Sequence, residues 1–269
     1  MWIRASSTEK FITDPFNFWW NFNPSFFSEP NRNLRFGLKE TVIPHCHLAN
    51  PSYLSRMEAD AILFDFDGVI LDTEWSIYES MRGVFVENGH DLPLEEYVKC
   101  IGSDFNTWSP ETMLEDLTGK TFDWQTIGIA RNKWIREEIA KLDAMPGVRD
   151  AVDFCQEREI PTAIVSSSNH KWVDGWLEKL DLLESFDHII AREDAPRIKP
   201  APDLYAEAVR RIGLPAPKCL VIEDSLNGMK SAHEVGCPVA AIPNRITQCI
   251  DFSAAEYQYP SLVEFLEDL

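Results

Sequence analysis

Positive charge is scarce in this chain: 25 Lys+Arg stand against 44 Asp+Glu in 269 residues, a formal net charge of -19. Such a surface repels phosphate backbones, which excludes a general nucleic-acid binder. It still admits a small phosphorylated metabolite, because one local cation can hold one phosphate. Long apolar runs are also missing. The longest fall far short of the ~20 residues needed to span a membrane, so no membrane partner is expected. No apolar stretch with a small-residue cleavage site opens the chain, which argues against secretion. The six cysteines, Cys46, Cys100, Cys155, Cys219, Cys237 and Cys249, include no CxxC pair. Scattered in this way they read as thiols in a reducing compartment, not as a disulfide framework. A cytoplasmic protein is the expectation. His45-Cys46-His47 has no second ligand pair at zinc-finger spacing and reads as a loop. There is no GxGxxG, no HExxH and no internal repeat. Gly119-Lys120-Thr121 echoes the end of a P-loop, but Leu114 occupies the required earlier glycine position.

What is present is ordinary globular composition, 45% apolar and 26% charged, in a length that suits one or two domains. Residues 1–57 stand apart. Their cations (Arg4, Lys10, Arg32, Arg35, Lys39 and Arg56) outnumber their acids (Glu9, Asp14, Glu29 and Glu40). They are rich in Asn, Pro and aromatics, as in Phe16-Asn17-Phe18-Trp19-Trp20, and follow neither the helical nor the strand period. This segment is expected to be an irregular or disordered extension. An organelle transit peptide is one reading of it, though the Ser and Arg enrichment is weak. An over-long start and an aromatic docking segment are the others.

From Glu58 the pattern sharpens. Short apolar runs at Ala61–Phe66, Thr162–Val165, His188–Ile190, Cys219–Ile222 and Pro238–Ile242 have the length of buried strands. Amphipathic stretches at Pro146–Glu157, His170–Leu180, Pro202–Ile212 and Ser225–Val235 lie between them. Buried strands alternating with helices predict an α/β fold with a parallel sheet covered on both faces. One interval breaks the alternation. From Thr73 to Met145 only helical patterns occur, with stripes at Ile77, Met81, Val84 and Phe85 and at Ile127, Ala130, Trp134, Ile135 and Ile139. This block reads as a helical insertion above the sheet's carboxyl edge, where it can act as a lid. The expected organisation is a core of residues 58–73 and 146–269 with a helical cap of residues 74–145.

Polar residues cluster where the predicted strands end: Asp65 and Asp67 after the first, Ser166, Ser167 and Ser168 after the second, and Glu223 and Asp224 after the fourth. Lys199 precedes a helix in Ile198-Lys199-Pro200. A parallel sheet gathers these ends on one edge, where ligands bind. Alone, each segment is a solvated turn or, for Glu223-Asp224-Ser225, a helix N-cap. Together they suit phosphoryl transfer. Two carboxylates at i, i+2 point the same way, so one can attack phosphorus while the other moves a proton. Asp65, Glu223 and Asp224 form a dense negative cluster that calls for a cation, and all-oxygen ligation suits Mg²⁺. Ser166 can donate to a phosphoryl oxygen and Lys199 can neutralise charge on nucleophile and phosphate. Gly68 permits a tight turn out of the strand.

Asp-Phe-Asp-Gly-Val-Ile-Leu-Asp-Thr-Glu (65–74), Val-Ser-Ser-Ser (165–168), Ile-Lys-Pro-Ala-Pro-Asp-Leu-Tyr (198–205) and Val-Ile-Glu-Asp-Ser-Leu-Asn-Gly (221–228) resemble the four motifs of the haloacid dehalogenase superfamily. The nearest branch contains β-phosphoglucomutase and related sugar-phosphate phosphatases. The resemblance covers roughly residues 59–269. It implies a Rossmann-like core with a helical cap inserted after the first motif. It implies Asp65 as the nucleophile that forms an aspartyl-phosphate and Asp67 as general acid/base. Ser166, Ser167 and Lys199 would bind the phosphoryl group. Mg²⁺ would be held by Asp65, the Asp67 carbonyl and Asp224, with Glu223 either ligating or assisting. Superfamily dehalogenases and phosphonate hydrolases lack an acid at the Asp67 position, so this acid favours phosphate esters, whose leaving alcohol needs a proton.

The expected activity is a Mg²⁺-dependent phosphatase acting, as a monomer, on a sugar or polyol phosphate. A phosphomutase is the second reading and a non-catalytic binding protein the third. A mutase needs a second cationic grip on its bisphosphate intermediate. The β-phosphoglucomutase pattern has an Arg shortly after the glycine matching Gly102, where this chain has Phe105, and a Lys where it has Asn169. His170 and Lys171 follow as displaced candidates. The intact acidic and basic set weighs against a mere binding module.

Overall fold

The computed structural model describes residues 59–101 and 109–269. The 1–57 extension, His45-Cys46-His47, Gly102 and Phe105 lie outside the described residues.

Strand β1 (Ala61–Phe64) is buried along its whole length, as expected of a run with no polar residue to turn outward. Helices α1 (Thr73–Glu87), α2 (Leu94–Ile101), α3 (Pro110–Thr118) and α4 (Trp124–Ile139) follow it. The chain then alternates through α5 (Val148–Glu157), β2 (Thr162–Val165), α6 (His170–Lys179), β3 (His188–Ile190), α7 (Asp203–Ile212), β4 (Cys219–Glu223), α8 (Leu226–Val235) and β5 (Val239–Ala241). A two-residue strand β6 (Tyr257–Gln258) and helix α9 (Leu262–Glu267) close it. The sheet order is β3-β2-β1-β4-β5-β6, and every pairing is parallel. The fold is thus α/β, with a Rossmann-like parallel sheet and an inserted helical cap.

Strand alternation splits the core. Ala61 and Leu63 pack with Val165, Val221, Leu204, Tyr205 and Met229 under α7 and α8. The other face carries Phe64, whose ring meets Phe186 edge-on at 5.9 Å. The first apolar run ends earlier than its composition suggests. Asp65 leaves the strand after a last ladder bond from its N–H to the Ile222 carbonyl, 3.0 Å, and Phe66 is buried in the turn beyond.

The insertion contains no strand among its described residues. Tyr78, Met81, Phe85, Leu92, Tyr97 and Leu114 form its apolar centre, and Ile246, from the loop after β5, is buried among them. The α4 stripe differs in phase from the sequence reading. Ala130 is exposed and the buried positions are Gly128, Arg131, Ile135 and Ile139. Arg131 replaces Ala130 because its guanidinium finds Ser80 Oγ at 3.2 Å on α1, and a satisfied cation can be buried. Gly119 is no phosphate loop; it caps α3 in the left-handed conformation. Cys155, Cys219 and Cys237 are buried, and Cys249 is exposed. Among the described residues no helix is long and apolar enough to cross a membrane.

Candidate active site

The strand order reverses its direction of growth between β1 and β4. Crossovers to either side of such a point diverge and leave a crevice at the strands' carboxyl ends. Asp65 follows β1 there, Ser166 follows β2, Glu223 ends β4 and Asp224 follows it. Lys199 arrives from the loop before α7 and is buried.

Lys199 is the hub. Its ammonium donates to Asp65 Oδ1 in a short contact, to Glu223 Oε1 at 2.7 Å and to the Val165 carbonyl at 2.8 Å. Those acceptors match its three N–H bonds. Burial works against the charged lysine, but Asp65 and Glu223 outweigh it and raise its pKa. Glu223 is fully enclosed. Its Oε1 also accepts from Tyr205 Oη at 2.8 Å. Its Oε2 accepts from Ser225 Oγ at 2.9 Å and from the N–H groups of Asp224 and Ser225 at 3.2 Å. In Glu223-Asp224-Ser225 the helix N-cap is Ser225, which accepts from Gly228 N–H at 3.0 Å, and Asp224 takes no part in that cap.

Asp224 and Gly68 fit each other closely. Asn244 Nδ2 donates to Asp224 Oδ2 at 2.6 Å, and Gly68 stands beside them with φ +95°. A Cβ at 68 would overlap the Asp224 carboxylate and come within 2.5 Å of Asn244 Nδ2, so both space and backbone conformation require glycine.

Asp67 occupies a separate nest. Thr73 Oγ1 (2.8 Å) and Trp172 Nε1 (2.9 Å) donate to its Oδ1, and Ser168 Oγ (2.7 Å) and Ser166 Oγ (3.3 Å) to its Oδ2. Thr73 opens the first cap helix, so the cap's root touches this carboxylate. Glu74, the next residue, is raised to about 8 by burial and by the charges of Asp67 and Asp72. Ser167 is half-buried beside Ser166 and Ser168.

The carboxylates of Asp65, Glu223 and Asp224 bring oxygens within 4.8 Å of one another. Burial and the neighbouring acids raise the pKa of Asp65 despite Lys199, and burial, Asp65 and Glu223 raise that of Asp224. One ammonium among three buried carboxylates leaves a charge excess that a divalent cation would balance. The donor set therefore fits a hard cation. Glu223 spends both oxygens on protein donors, whereas Asp65 and Asp224 each keep one that accepts no hydrogen bond among the described residues.

Asp65, Asp67, Ser166, Ser167, Lys199, Glu223 and Asp224 all lie on this edge. Thr73, Ser168, Trp172, Tyr205 and Asn244 carry no role in the sequence reading. Asn244 had a signal, since it follows β5 on the same edge, and Ser168 sits inside the serine run. Trp172 reads in sequence as one more apolar position of a helical stripe.

The family model for haloacid dehalogenase-like hydrolases matches residues 62–242. A protein of Bacillus subtilis (strain 168) named "Putative phosphatase YhcW" is 32% identical over 204 residues, 76% of this chain and 92% of that one. Hexitol phosphatase B of Escherichia coli (strain K12) is 28% identical over 63% of this chain and 77% of its own. Among solved structures, CbbY from Rhodobacter sphaeroides in complex with phosphate superposes with a TM-score of 0.58 at 23% identity, covering 78% of this chain and 99% of that one. By the match of the family model over most of its length, this chain belongs to the haloacid dehalogenase-like hydrolases.

Proposed function

We propose that the protein is a divalent-metal-dependent phosphatase that hydrolyses a sugar or polyol phosphate through a phosphorylated Asp65. The observation that carries this reading is the nest around Asp67. Donors from three stretches of chain (Thr73, Ser166 with Ser168, and Trp172) converge on this one carboxylate. A dehalogenase has no use for an acid there, whereas an alkoxide leaving group needs a proton. The names of relatives, a hexitol phosphatase among them, support a phosphorylated carbohydrate as substrate.

In this mechanism the Lys199 contact fixes the Asp65 carboxylate for in-line attack on phosphorus. As the Asp65–phosphorus bond forms and the phosphorus–oxygen bond to the alcohol breaks, Asp67 gives its proton to the departing oxygen. Asp67 then takes a proton from the water that attacks the aspartyl-phosphate, which frees phosphate and restores Asp65. Ser166, Ser167 and Lys199 bind the phosphoryl oxygens. Asp65 and Asp224 would hold Mg²⁺, with Glu223 anchoring Lys199 behind them. When bound, the ion would supply charge stabilisation to the transferring phosphoryl group.

Hydrolysis is favoured over mutase chemistry by the second-motif end of α6. Asn169 accepts from Trp172 N–H at 3.0 Å as the helix cap. His170 is engaged by Asp194 at 2.7 Å and Asp174 at 3.2 Å, so neither Asn169 nor His170 offers a cation to a second phosphate, and Lys171 is the remaining candidate, exposed on the same helix. The test is a panel of sugar and polyol phosphates assayed for inorganic phosphate, with β-glucose 1-phosphate followed in parallel for glucose 6-phosphate. Phosphate release should dominate. Faster isomerisation than release would promote the mutase, and no turnover of any ester would remove the phosphatase reading.

A further inference from the structure

The donors around Asp67 are of two kinds. Thr73, Ser166 and Ser168 offer hydroxyls, which turn and can accept as well as donate. Trp172 offers an indole N–H, which can only donate. Its ring is 4% exposed and stands edge-on against Trp176, with centroids 5.6 Å apart and planes at 84°. It cannot swing away from Oδ1 without breaking that packing. On the cap side, the Arg136 guanidinium of α4 lies 5.2 Å from the Trp172 ring centroid, within cation–π reach. Arg136 forms no ion pair among the described residues, and burial alone lowers its pKa. One core side chain thus meets the carboxylate on one side and the cap's cation on the other.

We propose that Trp172 is a positioning residue for Asp67, fixing Oδ1 as an obligate acceptor and seating the cap through Arg136. This rests on the reading of Asp67 as acid/base. With Oδ1 held by a group that cannot accept, the transferable proton belongs on Oδ2, whose partners Ser166 and Ser168 can turn to accommodate it. From Oδ2 it passes to the alcohol oxygen as the phosphorus–oxygen bond breaks.

The test uses the full chain and compares kcat/KM for an alkyl phosphate from the panel with kcat/KM for p-nitrophenyl phosphate. An alkoxide needs its proton in the transition state; p-nitrophenolate leaves without one. Trp172→Phe keeps a ring and removes the N–H. It should lose about tenfold with the alkyl ester and less than about threefold with the nitrophenyl ester, a fraction of the whole acid effect because three donors remain. Asp67→Asn should show the same selectivity more strongly. Equal losses on both esters, or none, overturn the role of Trp172. If Trp172→Phe does not fold, benzothienylalanine placed at 172 keeps the bicyclic shape without the N–H, and the same selective loss is expected. A wild type inactive on both esters overturns the phosphatase reading and this proposal with it. An active wild type with an unselective Trp172→Phe overturns this proposal alone.

Discussion

Gly228→Ala should unfold this protein more easily, although replacing glycine by alanine inside a helix ordinarily stabilises by about 1 kcal/mol. Gly228 lies in the first turn of α8, and a Cβ built there falls on the Glu223 carboxylate. A flexible side chain would step aside at little cost. Glu223 is enclosed and tied by Lys199, Tyr205 and Ser225, so its displacement takes from Lys199 one of its two carboxylate partners. Breaking a buried pair costs about 3–5 kcal/mol. Set against the helix gain, the net loss is about 2–4 kcal/mol. Urea unfolding followed by far-UV circular dichroism measures it. The same substitution in a Glu223→Ala background removes the overlap and should restore the ordinary helix gain of about 1 kcal/mol, so the double-mutant cycle reports a coupling of about 3–5 kcal/mol. Gly228→Ala as stable as the wild type, or an equal loss in both backgrounds, would refute the argument from close approach.

Asp65→Asn should abolish turnover while keeping the fold, because the amide is nearly isosteric, still accepts from Lys199 and is a poor nucleophile; hydrolysis at the wild-type rate removes Asp65 from its role. EDTA should silence the enzyme and Mg²⁺ restore it, with Ca²⁺ a poor substitute because its looser coordination shell misplaces Asp65; full activity in chelator would contradict the metal assignment. Glu74 is raised from 4.5 to about 8 by burial, Asp67 and Asp72, so its contribution to stability is complete below about 4.5 and is lost as pH rises through about 8. Glu74→Gln should flatten that part of the stability profile, and a parallel decline in both proteins would assign it elsewhere. A chain begun at residue 58 should keep its turnover number, since every proposed site residue lies between 65 and 224; a soluble but inactive product would tie the extension to the site.

The strands are legible in the sequence because their signal is local. Thr162–Val165 and Cys219–Ile222 are unbroken apolar runs between polar ends, and a run buried on both faces reads the same whatever packs on it. Parallel runs share an edge at their carboxyl ends, so residue order alone suffices to bring Asp65, Ser166 and Asp224 together. Strand β6 escapes because Tyr257–Gln258 is short and half-exposed. The Asp67 nest escapes for another reason. Trp172 and Ala130 are both apolar residues at helical spacing, yet one donates to a carboxylate and the other faces water. Only the rotation of α6 and α4 against their neighbours tells them apart, and that rotation is set by tertiary packing.

The order of the strands also governs when the crevice can exist. Ile62 at the sheet's centre pairs with Thr162 on one side and Leu220 on the other, and the entire cap is synthesised between Ile62 and Thr162. On the ribosome, β1 therefore waits with apolar side chains and two bare edges while the cap and then the first half of the sheet are made. The cap helices close local contacts and can form early; the central ladder pays a large loop-closure cost before it gains anything. Lys199 and Asp65 meet only when β1 has docked, and Asp224 joins them last. Metal affinity should thus appear as a late event in refolding, and a chain stopped before Asp224 should present an exposed strand edge that invites aggregation.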